Sequence, residues 1–225
     1  MSDLLPCVEI ETGVQPRAAV IWMHGLGADG HDFAGLVPEL SLADCPAIRF
    51  VFPHAPAIPV TINGGYVMPA WYDIAQPDLV QQPDREGIER SQAAIEALIA
   101  REIARGIAPE NIVLAGFSQG CVMALHTGLR ARHRLAGIVA LSGYLPLPEL
   151  LTGERQPINQ QIPVFMAHGE RDPVVPLTRG ELARDTLQNL GYPVEWHSYL
   201  MQHSVHPQEI ADISAFLQRV LAPAQ

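Results

Sequence analysis

Ser118 stands at the centre of Gly116-Phe117-Ser118-Gln119-Gly120, a setting in which a serine can serve as a nucleophile. The apolar run Asn111-Ile112-Val113-Leu114-Ala115 precedes it, and a helix-like stretch over residues 118–130 follows. The reading is strand, sharp turn, helix, with the serine at the apex. Such a turn forces the serine into a sparsely populated backbone conformation and lifts its hydroxyl above the sheet. Glycines two residues to either side remove Cβ atoms that would collide where strand and helix approach. The helix N-terminus adds orphan N–H groups and partial positive charge, which suit a developing oxyanion. A serine-capped glycine turn would carry the same five residues, but the flanking strand and helix favour the nucleophile. Cys121 is a nucleophile by type. Its place one step inside the helix reads instead as a small packed side chain.

A neutral serine needs a general base, and the base needs an orienting acid. In α/β-hydrolases, whose elbow has this G-x-S-x-G pattern, the acid and then the histidine follow the serine in the chain. Each sits on a loop after a strand. After the apolar run 164–168 come Gly169-Glu170-Arg171-Asp172-Pro173, with Asp172 and Glu170 both candidates. Asp172 is favoured because the proline stiffens it, although it could simply cap the next helix. After the run 194–200 come Met201-Gln202-His203-Ser204-Val205-His206. His203 lies at the loop centre, His206 flanks the last helix, and His197 falls inside the strand. For the oxyanion we expect the Gln119 backbone N–H and the Leu26 N–H, the latter in the loop His24-Gly25-Leu26-Gly27-Ala28-Asp29-Gly30. A phosphate-binding reading of that loop is disfavoured by the absence of G-x-x-x-x-G-K-[ST] and of any lysine.

The elements that must position these residues follow from hydrophobic pattern. Apolar, β-branched runs at 8–11, 18–24, 48–52, 112–116, 137–142, 164–168 and 194–200 alternate with helical patterns at 85–105, 177–190 and 207–221. Near-continuous apolarity marks strands buried on both faces, so the expectation is a doubly wound, mostly parallel α/β sheet. Six residues between the first two runs are too few for a parallel crossover, which predicts an antiparallel edge hairpin. Residues 53–83, rich in proline, form an irregular lid-like loop in which 61–63 and 66–68 read as a small β-hairpin around Gly64-Gly65. Only about twenty residues (143–162) lie where larger hydrolases insert a cap, so no cap domain is expected.

At 225 residues and 48% hydrophobic, the chain suits one substantial core, a single domain over 1–225. A net charge of −10 without a basic patch argues against nucleic acid and anionic membranes as partners. Three cysteines at unrelated spacings make neither a disulfide framework nor a metal site. The N-terminus lacks a signal-peptide pattern and no apolar run spans a membrane, so a cytoplasmic protein without stable membrane insertion is expected.

HGLGADGHDF (24–33), MPAWYDI (68–74), GFSQG (116–120), LSGYLP (141–146), HGERDPVVP (168–176) and MQHSVHPQEI (201–210) resemble the bacterial carboxylesterase and acyl-protein thioesterase (phospholipase/carboxylesterase) family. The resemblance covers nearly the whole chain. It implies Ser118, Asp172 and His203 as the catalytic triad, Leu26 and Gln119 as oxyanion donors, and Trp71 beside the acyl pocket. Leu145 and Val175, at neighbouring strand ends, complete the expected substrate groove. The family's second glycine after GFSQ is Cys121 here. No metal or organic cofactor is implied. The expected activity is hydrolysis of short- to medium-chain carboxylic esters on a small-molecule ester or thioester substrate. Acyl-protein thioesterase or lysophospholipase activity is the alternative, and a non-catalytic binding module the remote one. A homodimer is left open.

Overall fold

A computed structural model describes residues 4–76 and 83–222. Seven strands build the main sheet: β1 (Cys7–Glu11), β2 (Ala18–Met23), β3 (Ile48–Pro53), β6 (Ile112–Phe117), β7 (Gly137–Leu141), β8 (Val164–Gly169) and β9 (Val194–Tyr199). Their order is β1-β3-β2-β6-β7-β8-β9, with every neighbouring pair parallel except β1 and β3. A separate two-stranded ribbon pairs β4 (Ala57–Val60) with β5 (Tyr66–Pro69).

The apolar strands are two-faced, as buried parallel strands should be. In β2, Ala19, Ile21 and Met23 face one core, while Ala18, Val20 and Trp22 face the other. Helices α1 (Arg85–Ala104), α2 (Gln119–Arg130) and α4 (Leu177–Asn189) contribute to the first core. Helix α5 (Pro207–Leu221) and the 3-10 turn at Ala34–Glu39 cover the second. Within α1, Ile88, Ile95, Leu98 and Ile99 are buried at helical spacing, and the Asp84 side chain caps its start by accepting from Gly87 N. Between β7 and β8 lies only a seven-residue helix, α3 (Pro148–Glu154), and a short 3-10 turn at Pro157–Asn159.

Two expectations need correction. The antiparallel strand is at the sheet edge, but β1 pairs with β3 rather than forming a hairpin with β2. The linking residues cross the end of β3, with Thr12 N and Arg17 N donating to Ile48 O and Ala47 O. Six residues easily span the roughly 10 Å that two strand spacings require. A cross-strand ion pair, Arg49 Nε to Glu11 Oε1 at 2.8 Å, fixes the β1–β3 register. In the lid-like segment the hairpin exists, but its first strand is Ala57–Val60 rather than 61–63. Thr61 is drawn out of the ribbon because its N–H and hydroxyl both donate to Asp73. Residues 77–82 of that segment lie outside the described residues.

Candidate active site

Ser118 joins β6 to α2 with φ 55° and ψ −115°, a conformation costing on the order of 1–3 kcal/mol in a residue with a side chain. Neighbouring backbone holds it there: its N–H donates to Leu141 O at 2.9 Å, and its carbonyl accepts from Val122 N at 3.3 Å. The flanking glycines are required sterically. A Cβ on Gly116 would collide with the Gly120 carbonyl, and one on Gly120 with the Met23 carbonyl. Cys121 is wholly buried, its Sγ against Gly143, where a Cβ would collide with it. Burial pushes its thiol far above the usual cysteine range, which opposes formation of a reactive thiolate. Room for the larger side chain is thus provided by Gly143 across the site.

The loop after β8 presents Asp172, and the loop after β9 presents His203. Backbone bonds zip the two loops together: Glu170 N to Tyr199 O at 2.8 Å and Arg171 N to Met201 O at 3.0 Å. Their close approach requires Gly169, since a Cβ there would strike the Gln202 carbonyl. Asp172 Oδ1 accepts from Val174 N and Val175 N, each at 2.8 Å, and Oδ2 from His203 Nδ1 at 2.6 Å. Burial raises its carboxyl pKa, but the His203 bond and the two backbone donors outweigh it and leave it below the usual range. An ionised carboxylate only accepts, so His203 carries its proton on Nδ1 and leaves Nε2 as the basic nitrogen. The His203 ring rests on Phe117, 4.6 Å between centroids, beside the elbow.

The structure therefore brings Asp172 and His203 together and leaves their rivals elsewhere. Glu170 Oε1 accepts from Ser198 Oγ. His206 caps α5 and stacks on Tyr199. His197, within β9, contacts Glu195 and stacks on Phe165.

The loop after β2 lies against the elbow, where a Cβ on Gly25 would sit 3.4 Å from Ser118 Cβ. Leu26 N–H donates to no backbone acceptor among the described residues. Gln119 is the first residue of α2, so its N–H lies before the first intrahelical bond. Trp71, Leu145 and Val175 are only 1%, 6% and 2% exposed, so in this conformation they are packed walls, not an open floor. Sequence reasoning missed three supporting groups. His24 donates from Nδ1 to Gly25 O and accepts at Nε2 from Ala55 N, and burial holds it below the usual histidine pKa, hence neutral. The Gln119 side chain bonds the Trp71-Tyr72 backbone. Val174 and Val175 brace Asp172 in a turn that the Asp-Pro dipeptide could have signalled.

The sheet order, the helices on both faces and the strand–serine–helix elbow define an α/β-hydrolase. Residues 5–221 match the family model described as Phospholipase/Carboxylesterase, and the chain belongs to that family and is a hydrolase. It is 43% identical over 218 residues to acyl-protein thioesterase 1 of Gibberella zeae, covering 93% of each chain. Among solved structures, acyl-protein thioesterase 2 of Zea mays superposes with a TM-score of 0.84 at 29% identity, over 96% of this chain and 99% of that one. Esterase PE8 gives 0.80 at 32% identity, over 97% and 99%. Among the described residues no helix is long and apolar enough to cross a membrane.

Proposed function

We propose that this protein is a serine hydrolase of acyl-protein thioesterase type, cleaving the thioester between an acyl chain and a cysteine side chain. The hydrolytic chemistry rests on the 2.6 Å Asp172–His203 pair beside the Ser118 elbow. The thioester preference is supported by 43% identity, over 93% of each chain, to a protein named for that activity, which favours the sequence's second reading over its first. Ser118 Oγ attacks the acyl carbonyl while His203 Nε2 takes its proton. Asp172 fixes the tautomer and stabilises the imidazolium. The N–H groups of Leu26 and Gln119 receive the tetrahedral oxyanion, each contributing roughly 3–4 kcal/mol to the barrier reduction. His203 then protonates the departing thiolate, and water repeats the cycle on the acyl-enzyme. Trp71, Leu145 and Val175 border the acyl side, and a chain that reaches them must displace the side chains now covering them. The whole chain acts as one domain.

Carboxylic ester hydrolysis is the second reading, favoured by the likeness to esterase PE8. Initial rates on a matched pair, an S-acyl cysteine peptide and its O-acyl serine counterpart, decide between them. A higher kcat/KM on the thioester is expected. A higher value on the oxygen ester would return the protein to the esterase reading.

A further inference from the structure

We propose that residues 69–72 are a brace that sets the width of the oxyanion hole, with Trp71 and the Gln119 side chain as its positioning residues. The inference rests on the hydrolase reading above, in which Leu26 N–H and Gln119 N–H bind the oxyanion. These donors come from separate parts of the chain, the loop after β2 and the start of α2. Their spacing must nonetheless be fixed, since each must lie about 2.7–3.1 Å from the same oxygen.

Four hydrogen bonds from one short segment reach both donors. On the loop side, Trp71 Nε1 donates to His24 O at 2.9 Å, and Pro69 O accepts from Gly27 N at 2.9 Å. These contacts grip the chain on either side of Leu26. On the helix side, Trp71 N donates to Gln119 Oε1 at 3.0 Å, and Gln119 Nε2 donates to Tyr72 O at 2.8 Å. A backbone donor faces the amide oxygen and a backbone acceptor faces the amide nitrogen, so only one orientation of the Gln119 amide satisfies both. The segment is itself held: Ser91 Oγ in α1 donates to Trp71 O, and the Tyr72 hydroxyl pairs with that of Tyr144 at 2.9 Å. Trp71 and Gln119 are both buried, so a lost bond here would leave an unpaired polar group in the interior. A merely apolar wall beside an acyl chain needs none of these polar contacts. Phenylalanine at position 71 would serve that purpose as well.

The test uses the full chain and two variants, Trp71→Phe and Gln119→Glu. The first removes one N–H while keeping most of the ring surface. The second removes the donor to Tyr72 O until the carboxyl is protonated. For each, kcat and KM are measured on a thioester, together with Ki for an alkyl trifluoromethyl ketone, whose serine adduct mimics the tetrahedral intermediate. The brace predicts a fall in kcat on the order of 10- to 100-fold and a matching rise in Ki, with KM within about twofold. For Gln119→Glu the variant-to-wild-type ratio of kcat should climb as pH falls toward the carboxyl range, because a protonated glutamic acid restores the donor. Trp71→Phe carries the test alone should Gln119→Glu not fold. A raised KM with kcat and Ki unchanged would make the segment a groove wall and overturn the brace, as would wild-type values throughout. If the wild type itself were insensitive to the ketone, the serine-nucleophile reading would fall first and take the brace with it.

Discussion

At Asp172 the carboxylate's depressed pKa is a consequence of its partners, and its replacement separates role from stability. Asp172→Asn keeps the shape and the two backbone contacts at Oδ1 but offers His203 an amide, which favours the wrong imidazole tautomer. We expect kcat to fall on the order of 10⁴-fold with little change in Tm. Glu170→Gln, whose contact is with Ser198, should stay within about twofold in steady-state assays. A crippling Glu170→Gln would transfer the acid's role. His203→Ala should be as damaging as Ser118→Ala, since the two act as a unit, whereas His197→Ala should retain most activity. The strained elbow at Ser118 and the pairing of Asp172 with His203 were legible, because each is a reactive residue type on a loop after an apolar run. The Gln119 amide was not legible, since its partners Trp71 and Tyr72 are distant in sequence and nothing local marks the contact.

The element that delivers His203 is the turn between β9 and α5, and its anchor is Glu209. This wholly buried residue accepts from His206 N through Oε2, closing a capping box at the start of α5. Burial, opposed by the His206 contact and reinforced by nearby Asp212, pushes its carboxyl up to about 7 from 4.5. The folded state therefore holds this proton more tightly than the unfolded chain does. The stabilisation is fully present below about pH 4.5 and is lost as pH rises through about 7. Its size is on the order of 3 kcal/mol. Glu209→Gln keeps an acceptor for His206 N without the charge. Thermal melts should show a decline in wild-type stability between those pH values that the variant lacks. Parallel curves for the two proteins would contradict the assignment. Elements of this kind were readable where the signal was local: the α5 stripe, Pro207 at its first turn, and Gly191 after α4, where φ is +86°. The pairing of β1 was not. Sequence distance from β2 says nothing of β3, which arrives 37 residues after Glu11 and carries Arg49 to meet it. The ribbon's first strand was displaced for a similar reason, because Asp73 claims Thr61 from outside the hairpin.

Across the whole molecule, the two readings of substrate differ most in what they require of acyl length. A buried methylene contributes about 0.8 kcal/mol, close to fourfold in kcat/KM. With Trp71, Leu145 and Val175 packed closed, the ester reading has kcat/KM level off between butyryl and octanoyl. The thioesterase reading has it climb through palmitoyl, as covering side chains yield to a long chain. An acyl-length series on one thioester scaffold distinguishes them, and a plateau by octanoyl would restore the ester reading. Hydropathy pattern made the architecture legible at this scale, because two-sided apolar strands permit few folds. Substrate choice was not legible, since it depends on how side chains far apart in sequence open around Ser118. The most direct measurement follows the acyl group itself. Enzyme mixed with an S-acyl peptide, acid-quenched within the first turnover and digested, should carry the acyl mass on the peptide containing Ser118, and Ser118→Ala should carry none. An acyl group mapped to Cys121, or turnover in Ser118→Ala at the wild-type rate, would contradict the assignment of Ser118 as the nucleophile.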